Sequence, residues 1–366
     1  MAASTMSRWG NDLYTGKRSH DIVGNRKRWF LISLGVVALS LVLLLTRELN
    51  PGIAFRGGSE FTVPGVSDTS QQPAVDAVAT IPGAEVPRVS VVGTDTLRVQ
   101  TSELDDVQTN ELANALAEAY DVDPGEVGSS FIGPQWGQDV TSKALRGLFT
   151  FLVLVSLVLT IYFRDWRMAV AGLVALVHDV AITVGVYAAV GWEVTPATVI
   201  GFLTILGYSL YDTVVVFDKV RENVEGALKQ KRYTYGELAN LAVNQTLVRS
   251  INTSVVAVLP VGAILFIGAF LLGAGMLRDI ALALFVGMLV GTYSSVFLAT
   301  PLLVWIRERE PAVAEHTASV LEARKARVAA GEPELAHVGS LIPGTHLGFA
   351  AQPRRRKQQR PPGRRP

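Results

Sequence analysis

The apolar positions of this chain fall in long unbroken runs, and six of the runs are long enough to cross a bilayer as helices. A helical span needs about 20 consecutive apolar residues. The first run, Trp29–Thr46, follows the basic cluster Arg26, Lys27 and Arg28. No small-residue cleavage site follows it and further spans do, so it reads as an uncleaved anchor rather than a secretory signal. The expected spans are residues 29–46, 143–163, 168–190, 197–217, 249–272 and 278–306. Residues 1–28 form a basic N-terminus ahead of them, and residues 307–366 follow them as a largely disordered basic tail.

Between the first two spans the period changes, and residues 47–142 read as a small α+β domain. Ser59–Val63 alternates in the manner of a strand, and Pro73–Ile81 forms a short helical stretch. Val86–Val92 and Thr96–Gln100 read as two strands around a Gly93-Thr94-Asp95 turn. Val107–Tyr120 carries Leu112, Ala115, Leu116 and Ala119 at helical spacing, with Asp105 and Asp106 at its positive end. A last strand is expected near Val127–Ile132. This β-α-β-β-α-β order predicts a ferredoxin-like split fold. The fold class is therefore an α-helical polytopic membrane protein with six transmembrane helices and a ferredoxin-like extracytoplasmic domain between helices 1 and 2.

Composition agrees with the run lengths. Hydrophobic residues make up 49% of the 366 positions and charged residues 18%, against about a quarter charged in soluble domains. Mean hydropathy is +0.33. The net charge of +1 conceals an asymmetry. The N-terminus, the Arg164-Asp165-Trp166-Arg167 connection, the Lys219–Arg232 loop and the tail are basic, whereas the Leu49–Asp139 segment is acidic. The lysine and arginine bias places every basic loop and both termini in the cytoplasm, and the acidic domain outside.

Several chemistries drop out. The chain has no cysteine and five histidines, none at metal-ligand spacing, so no disulfide, zinc cluster or metal centre is expected. No Gly-x-x-x-x-Gly-Lys-Ser/Thr loop is present and no nucleophile–base pair stands out. An enzyme or a cofactor-dependent protein is not expected. The amphipathic stretch Ala312–Ala330 leads into Arg354, Arg355, Arg356, Lys357, Arg360, Arg364 and Arg365. Such a tail is attracted to anionic membrane lipids or to the ribosome.

Ionisable residues inside a membrane are functional candidates by default. Asp179 lies near the middle of the third span. Asp212 lies about 9 Å inside the end of the fourth, taking Asp218 as interfacial and 1.5 Å of rise per residue. Arg249 opens the fifth apolar run and shares a helix face with Thr246 and Thr253, while Ser209 precedes Asp212 by one turn. Asp212 and Arg249 are the expected proton-pathway pair, with Asp179, Ser209, Thr246 and Thr253 in support. Low dielectric favours the neutral form of a carboxylic acid and a nearby guanidinium favours the charged form, so relative movement of the two toggles proton affinity. The plainer alternative is a structural ion pair joining two helices. His178 beside Asp179 reads as a buried neutral histidine, since adjacent helix positions point about 100° apart. Glu193 reads as a solvated interfacial residue. Gly185, Gly201, Gly207, Gly287 and Gly291 read as packing positions that let spans approach closely.

The segment Gly207-Tyr208-Ser209-Leu210-Tyr211-Asp212-Thr213-Val214-Val215-Val216-Phe217-Asp218-Lys219-Val220-Arg221-Glu222-Asn223 resembles the fourth-span signature of the SecD/SecF family of protein-export membrane proteins, on its SecF side. Asn244–Ser254 resembles the next signature, and Gly291-Thr292-Tyr293-Ser294-Ser295 the last-span one. Asn50–Gly58 and Ile132-Gly133-Pro134 resemble the motifs flanking the external domain. The SecD side typically carries Asp-Ala-Asn-Val where Asp212-Thr213-Val214-Val215 stands, and a larger external domain. The resemblance covers Arg26 to Arg309. One departure is Ala54, where the family usually has aspartate. The resemblance implies a six-span subunit of the resistance-nodulation-division superfamily, paired with SecD beside the SecYEG channel, with SecA and a YajC-like subunit as further partners. It also implies use of the proton motive force to help export polypeptides across the bacterial cell membrane after SecA-driven translocation. In that family the residues matching Asp212 and Arg249 belong to the proton pathway. Other readings are a proton-coupled small-molecule or lipid exporter of the same superfamily, or a structural membrane scaffold.

Overall fold

Proline and threonine set where the long helices begin. In a computed structural model, which describes residues 5–14, 18–271 and 275–330, the chain starts with α1 (Thr5–Tyr14) and the first long helix, α2 (Arg26–Arg47). Pro134 opens α6 (Pro134–Phe163), where a missing N–H costs nothing. The Asp165 carboxylate accepts from the Arg167 amide at the start of α7 (Trp166–Val190). Thr195 and Thr198 form a reciprocal capping box at the start of α8 (Pro196–Val224), and Thr234 with Glu237 does so for α9 (Tyr235–Ala263). The last span joins α10 (Gly275–Ser294), a π-helical turn (Ser295–Ala299) and α11 (Thr300–Arg307). Among the described residues six helices are long and apolar enough to cross a membrane.

The helices outrun the apolar stretches that signalled them. α6 begins at Pro134 and α9 at Tyr235, ahead of the expected 143 and 249. The cause is capping: a box such as Thr234–Glu237 starts a helix in the aqueous layer, whereas apolarity marks only the part in lipid. Within 307–366, α12 (Pro311–Ala329) is a helix that buries Val313, His316 and Val320. It rests on the connection between α8 and α9 and on the start of α9, through His316 Nε2 and the Gln230 carbonyl at 2.6 Å, and through Arg324 and Glu237 at 3.0 Å. The Arg354–Arg365 run lies outside the described residues.

α7 is the axis of the bundle. Ala171, Ala175, Leu176 and Tyr187 are buried on it, and α2, α6, α8 and α10 pack around it. By contrast Leu31, Leu34 and Leu45 of α2 and Phe149, Val158 and Ile161 of α6 are exposed. In water so large an apolar surface would be untenable, and in lipid it is the expected outer face.

Between α2 and α6 the strands β2 (Gly58–Val63), β3 (Arg88–Val92), β4 (Thr96–Thr101) and β5 (Gly128–Ile132) form one antiparallel sheet in the order β3-β4-β2-β5. With α4 (Gln72–Ala79) and α5 (Asp106–Tyr120) on one face, this is the ferredoxin-like arrangement that the element order predicts. Phe61 and Val63 of β2 pair with Val99 and Leu97 of β4, and all four are fully buried against Leu112 and Leu116. Alternation thus selects the face that the helices cover. Gly58 has φ +130°, and a Cβ there would stand 2.4 Å from the Thr101 carbonyl oxygen, so only glycine fits.

A reciprocal cap starts α5: the Gln108 amide donates to Asp105 Oδ1 at 2.8 Å and the Asp105 amide to Gln108 Oε1 at 3.1 Å. Asp105→Ala is expected to cost about 1 kcal/mol. Hydrogen exchange on the intact protein should speed up at the first turn of α5 and not in β2 or β4. Unchanged exchange at that turn would show the cap to be idle.

A polar tether joins the external domain to the bundle. The short strands β1 (Asn50–Pro51) and β6 (Glu193–Val194) pair in parallel. Glu193 is paired with Arg98 at 3.6 Å and accepts from Gln100 Nε2 at 2.8 Å. Gln100 and Arg98 also hold Glu60, at 2.8 and 3.7 Å. This corrects the expectation of a solvated Glu193. Its partners sit about ninety residues earlier in the chain, on β4, which local reading cannot supply.

Candidate functional site

Asp179 points from α7 into the seam between α8 and α10. It is 1% exposed, and among the described residues no lysine or arginine pairs with it. Oδ2 accepts from Ser209 Oγ of α8 at 2.6 Å and from Ser294 Oγ of α10 at 2.8 Å. Oδ1 lies 3.1 Å from His178 Nδ1. Close approach of the last span makes room for this cluster. A Cβ at Gly291 would stand 2.9 Å from Ser209 Cβ and 3.5 Å from Asp179 Oδ2.

Asp212 repeats the construction one helix further on. It is 5% exposed; Oδ1 accepts from Ser250 Oγ of α9 at 2.8 Å, and Oδ2 from Ser295 Oγ in a short hydrogen bond. Each carboxyl therefore takes one hydroxyl from the next helix and one from the Ser294-Ser295 pair of the last span. Ser209, Ser250, Ser294 and Ser295 are all buried. Buried polar groups of this kind are stable only when hydrogen-bonded. Ser254 Oγ and Thr292 Oγ1, 2.6 Å apart, extend the polar seam between α9 and α10.

Arg249 does not meet Asp212. It is exposed, in a cleft of about 840 Å³ lined also by Asp218, Lys219, Glu222, Asn252 and Thr253. Thr246 and Thr253 line the same cleft, as their spacing predicts. Their hydroxyls are turned back onto their own helix, Thr246 onto the Ala242 carbonyl at 3.0 Å and Thr253 onto that of Arg249 at 3.0 Å. The expected ion pair is thus replaced by a serine contact. The reason is rotational: adjacent helix positions diverge by about 100°, and it is the Ser250 face of α9 that turns toward α8.

His178 is buried as expected, but it does contact its neighbour Asp179. Its ring stacks on Tyr293 at 6.1 Å between centroids. The Tyr293 hydroxyl in turn lies 3.2 Å from Ser33 Oγ on α2, and His178 Nε2 is buried without a partner. Ser250, Ser294 and Ser295 are the residues that sequence reasoning did not single out. Their signal is there: three hydroxyls inside apolar runs, each within a quoted motif.

A six-span bundle that buries carboxylates, with a ferredoxin-like domain after its first span, has the build of a protein-export membrane protein. The family model for the protein export membrane protein SecD/SecF, C-terminal, matches residues 112–309. The protein translocase subunit SecF of Streptomyces coelicolor is 46% identical over 329 residues, covering 90% of this chain and 88% of that protein. SecF of Mycobacterium tuberculosis is 42% identical over 341 residues, covering 90% and 77%. Among solved structures, SecDF of Thermus thermophilus, a translocon-associated membrane protein, superposes with a TM-score of 0.71 at 32% identity. That match covers 80% of this chain and 39% of SecDF. The chain belongs to the SecF family of protein translocase subunits.

Proposed function

We propose that this multi-pass subunit works in the bacterial cell membrane as the SecF partner of a SecD subunit, coupling proton entry to polypeptide export. The observation that carries the reading is Asp212: a carboxyl buried between three helices and held by rotatable hydroxyls, with no paired cation among the described residues. A structural ion pair would need such a cation, which weighs against the scaffold reading. The Thermus thermophilus relative combines SecD and SecF in its name and is more than twice as long as the matched region, which supports a SecD subunit as the partner. The acidic external domain supplies the extracytoplasmic surface for an emerging chain, and the basic loops set both termini in the cytoplasm. SecYEG, SecA and a YajC-like subunit are the further partners this role implies.

Arg249 is the mobile element in this reading. It precedes Ser250 by one helical position, so a rotation of α9 by about 100° exchanges hydroxyl for guanidinium at Asp212. The guanidinium then favours the charged carboxylate and expels the proton. Export into inverted membrane vesicles, with and without an uncoupler, tests this. Arg249→Met should lose most of the gradient-dependent part. Arg249→Lys should keep a fraction, because it retains charge but not the planar five-donor fork. A normal gradient response in Arg249→Met would remove the guanidinium from the mechanism.

A further inference from the structure

We propose that Asp179 is a second proton-binding carboxyl, built like Asp212 and joined to it through the consecutive serines Ser294 and Ser295. The proposal rests on the reading that this bundle carries protons, and it adds a site that the family signatures around Asp212 do not contain. Its basis is the repeated geometry. Both carboxyls are nine-tenths or more buried, and each receives one hydroxyl from the following helix and one from the last span.

Each last-span serine also has a second acceptor within reach. Ser294 Oγ lies 2.8 Å from Asp179 Oδ2 and 3.2 Å from the Gly291 carbonyl. Ser295 Oγ bonds Asp212 Oδ2 and lies 3.3 Å from the Thr292 carbonyl. A serine hydroxyl can donate or accept, so these two serines can follow the charge of the carboxyls. When a proton taken from water adds to Asp179 Oδ2, an O–H bond forms and the Ser294 O–H···Oδ2 hydrogen bond breaks. Ser294 then accepts from the new carboxylic O–H, and its own O–H turns to the Gly291 carbonyl. Loss of the proton reverses each step. The same exchange at Asp212 turns Ser295 to the Thr292 carbonyl. Because the two serines adjoin at the start of the π-helical turn, a change at one carboxyl is felt by the serine of the other.

The groups around Asp179 suit a site that exchanges a proton. From its own helix comes His178, with Nδ1 at 3.1 Å and an unpartnered, buried Nε2 aimed away from the carboxyl. From α10 come Tyr293, stacked on His178, and Ser294; from α8 come Ser209 and, one turn on, Asp212. α2 contributes Ser33, through the Tyr293 hydroxyl. Val155 and Leu159 of α6 and Leu303 of α11, from the other helices against α7, are buried and apolar. His178 is the exchange partner on the other oxygen. Where the carboxyl proton sits on Oδ1, the O–H bond breaks as an Nδ1–H bond forms, leaving a carboxylate beside an imidazolium with the serine bonds to Oδ2 intact.

Infrared difference spectroscopy tests this on the full chain, reconstituted in liposomes with the subunits that co-purify with it. A pH step should reveal two carbonyl stretches of protonated, water-shielded carboxylic acids. Asp179→Asn should delete one band and Asp212→Asn the other. Asp179→Glu, which keeps the titrating group if the asparagine variant misfolds, should shift the first band and leave the second. Ser294→Ala should shift the Asp179 band and its midpoint pH, and His178→Gln should move that midpoint alone. A single band that survives Asp179→Asn and is unmoved by Asp179→Glu overturns the proposal. The two readings fail separately. Normal gradient-driven export in Asp212→Asn would sink the coupling mechanism while the Asp179 band remained, whereas a missing Asp179 band leaves the Asp212 mechanism standing.

Discussion

Asp212→Asn is expected to abolish the gradient-dependent part of export while leaving the protein folded, inserted and at normal level. Asparagine has the shape of aspartate, and its amide oxygen still accepts from Ser250 or Ser295. Its NH2 group must donate where the carboxylate accepted, and a serine that rotates by one rotamer can take that bond. The polar pocket therefore stays satisfied, and the stability change should be small beside the several kcal/mol of a broken buried ion pair. What disappears is the exchangeable proton. One charge crossing 100 mV carries about 2.3 kcal/mol, and without the Asp212 carboxyl that energy is no longer coupled to the movement of α9. Export into inverted vesicles should then be the same with and without uncoupler. A wild-type-like gradient response would leave the carboxyl with a packing role only.

The spans and the external domain were readable because their signals are local. Apolar runs, the Gly93-Thr94-Asp95 turn and the helical spacing of Leu112, Ala115, Leu116 and Ala119 each depend on neighbours in sequence, and the structure places elements there. The site was readable only as far as residue type goes. Asp179, Ser209 and Asp212 stand out as polar groups in apolar helices, but which hydroxyl meets which carboxyl depends on how α8, α9 and the last span are rotated. A rotation of one residue, about 100°, is the whole difference between the expected Arg249 and the observed Ser250 at Asp212. The partners of Glu193 and the Asp179 contact of His178, which is buried as expected, were missed for related reasons: one finds its partners on a strand far away in sequence, and the other reaches its neighbour by side-chain rotamer. Among the five glycines marked as packing positions, four face a close neighbour, while Gly207 opens onto free space.

That contrast yields the second large effect, at Gly287. A Cβ there would stand 2.0 Å from Ile205 Cδ1 and 2.9 Å from Ile205 Cβ. The δ-carbon can swing aside, but the β-carbon is fixed to the α8 backbone, so α8 and α10 must separate to admit any branched side chain. Gly201 tightens the same seam from the other helix, where a Cβ would lie 2.7 Å from Ala283 Cβ. Spans without a hydrophobic drive between them rely on such close approach for their packing. Gly287→Leu is therefore expected to cost about 3 kcal/mol or more, at the upper end of overpacking penalties. The spreading would also draw Ser294 on α10 away from Ser209 on α8, opening the clamp on Asp179 that both helices close. Thermal unfolding of the purified protein in detergent should show a large drop in midpoint, together with loss of gradient-driven export. Gly207→Leu, on the facing helix α8 but opening onto free space, should leave both close to the wild type. Equal effects of the two substitutions would mean that the α8–α10 seam is looser than its contacts imply, and the clamp with it.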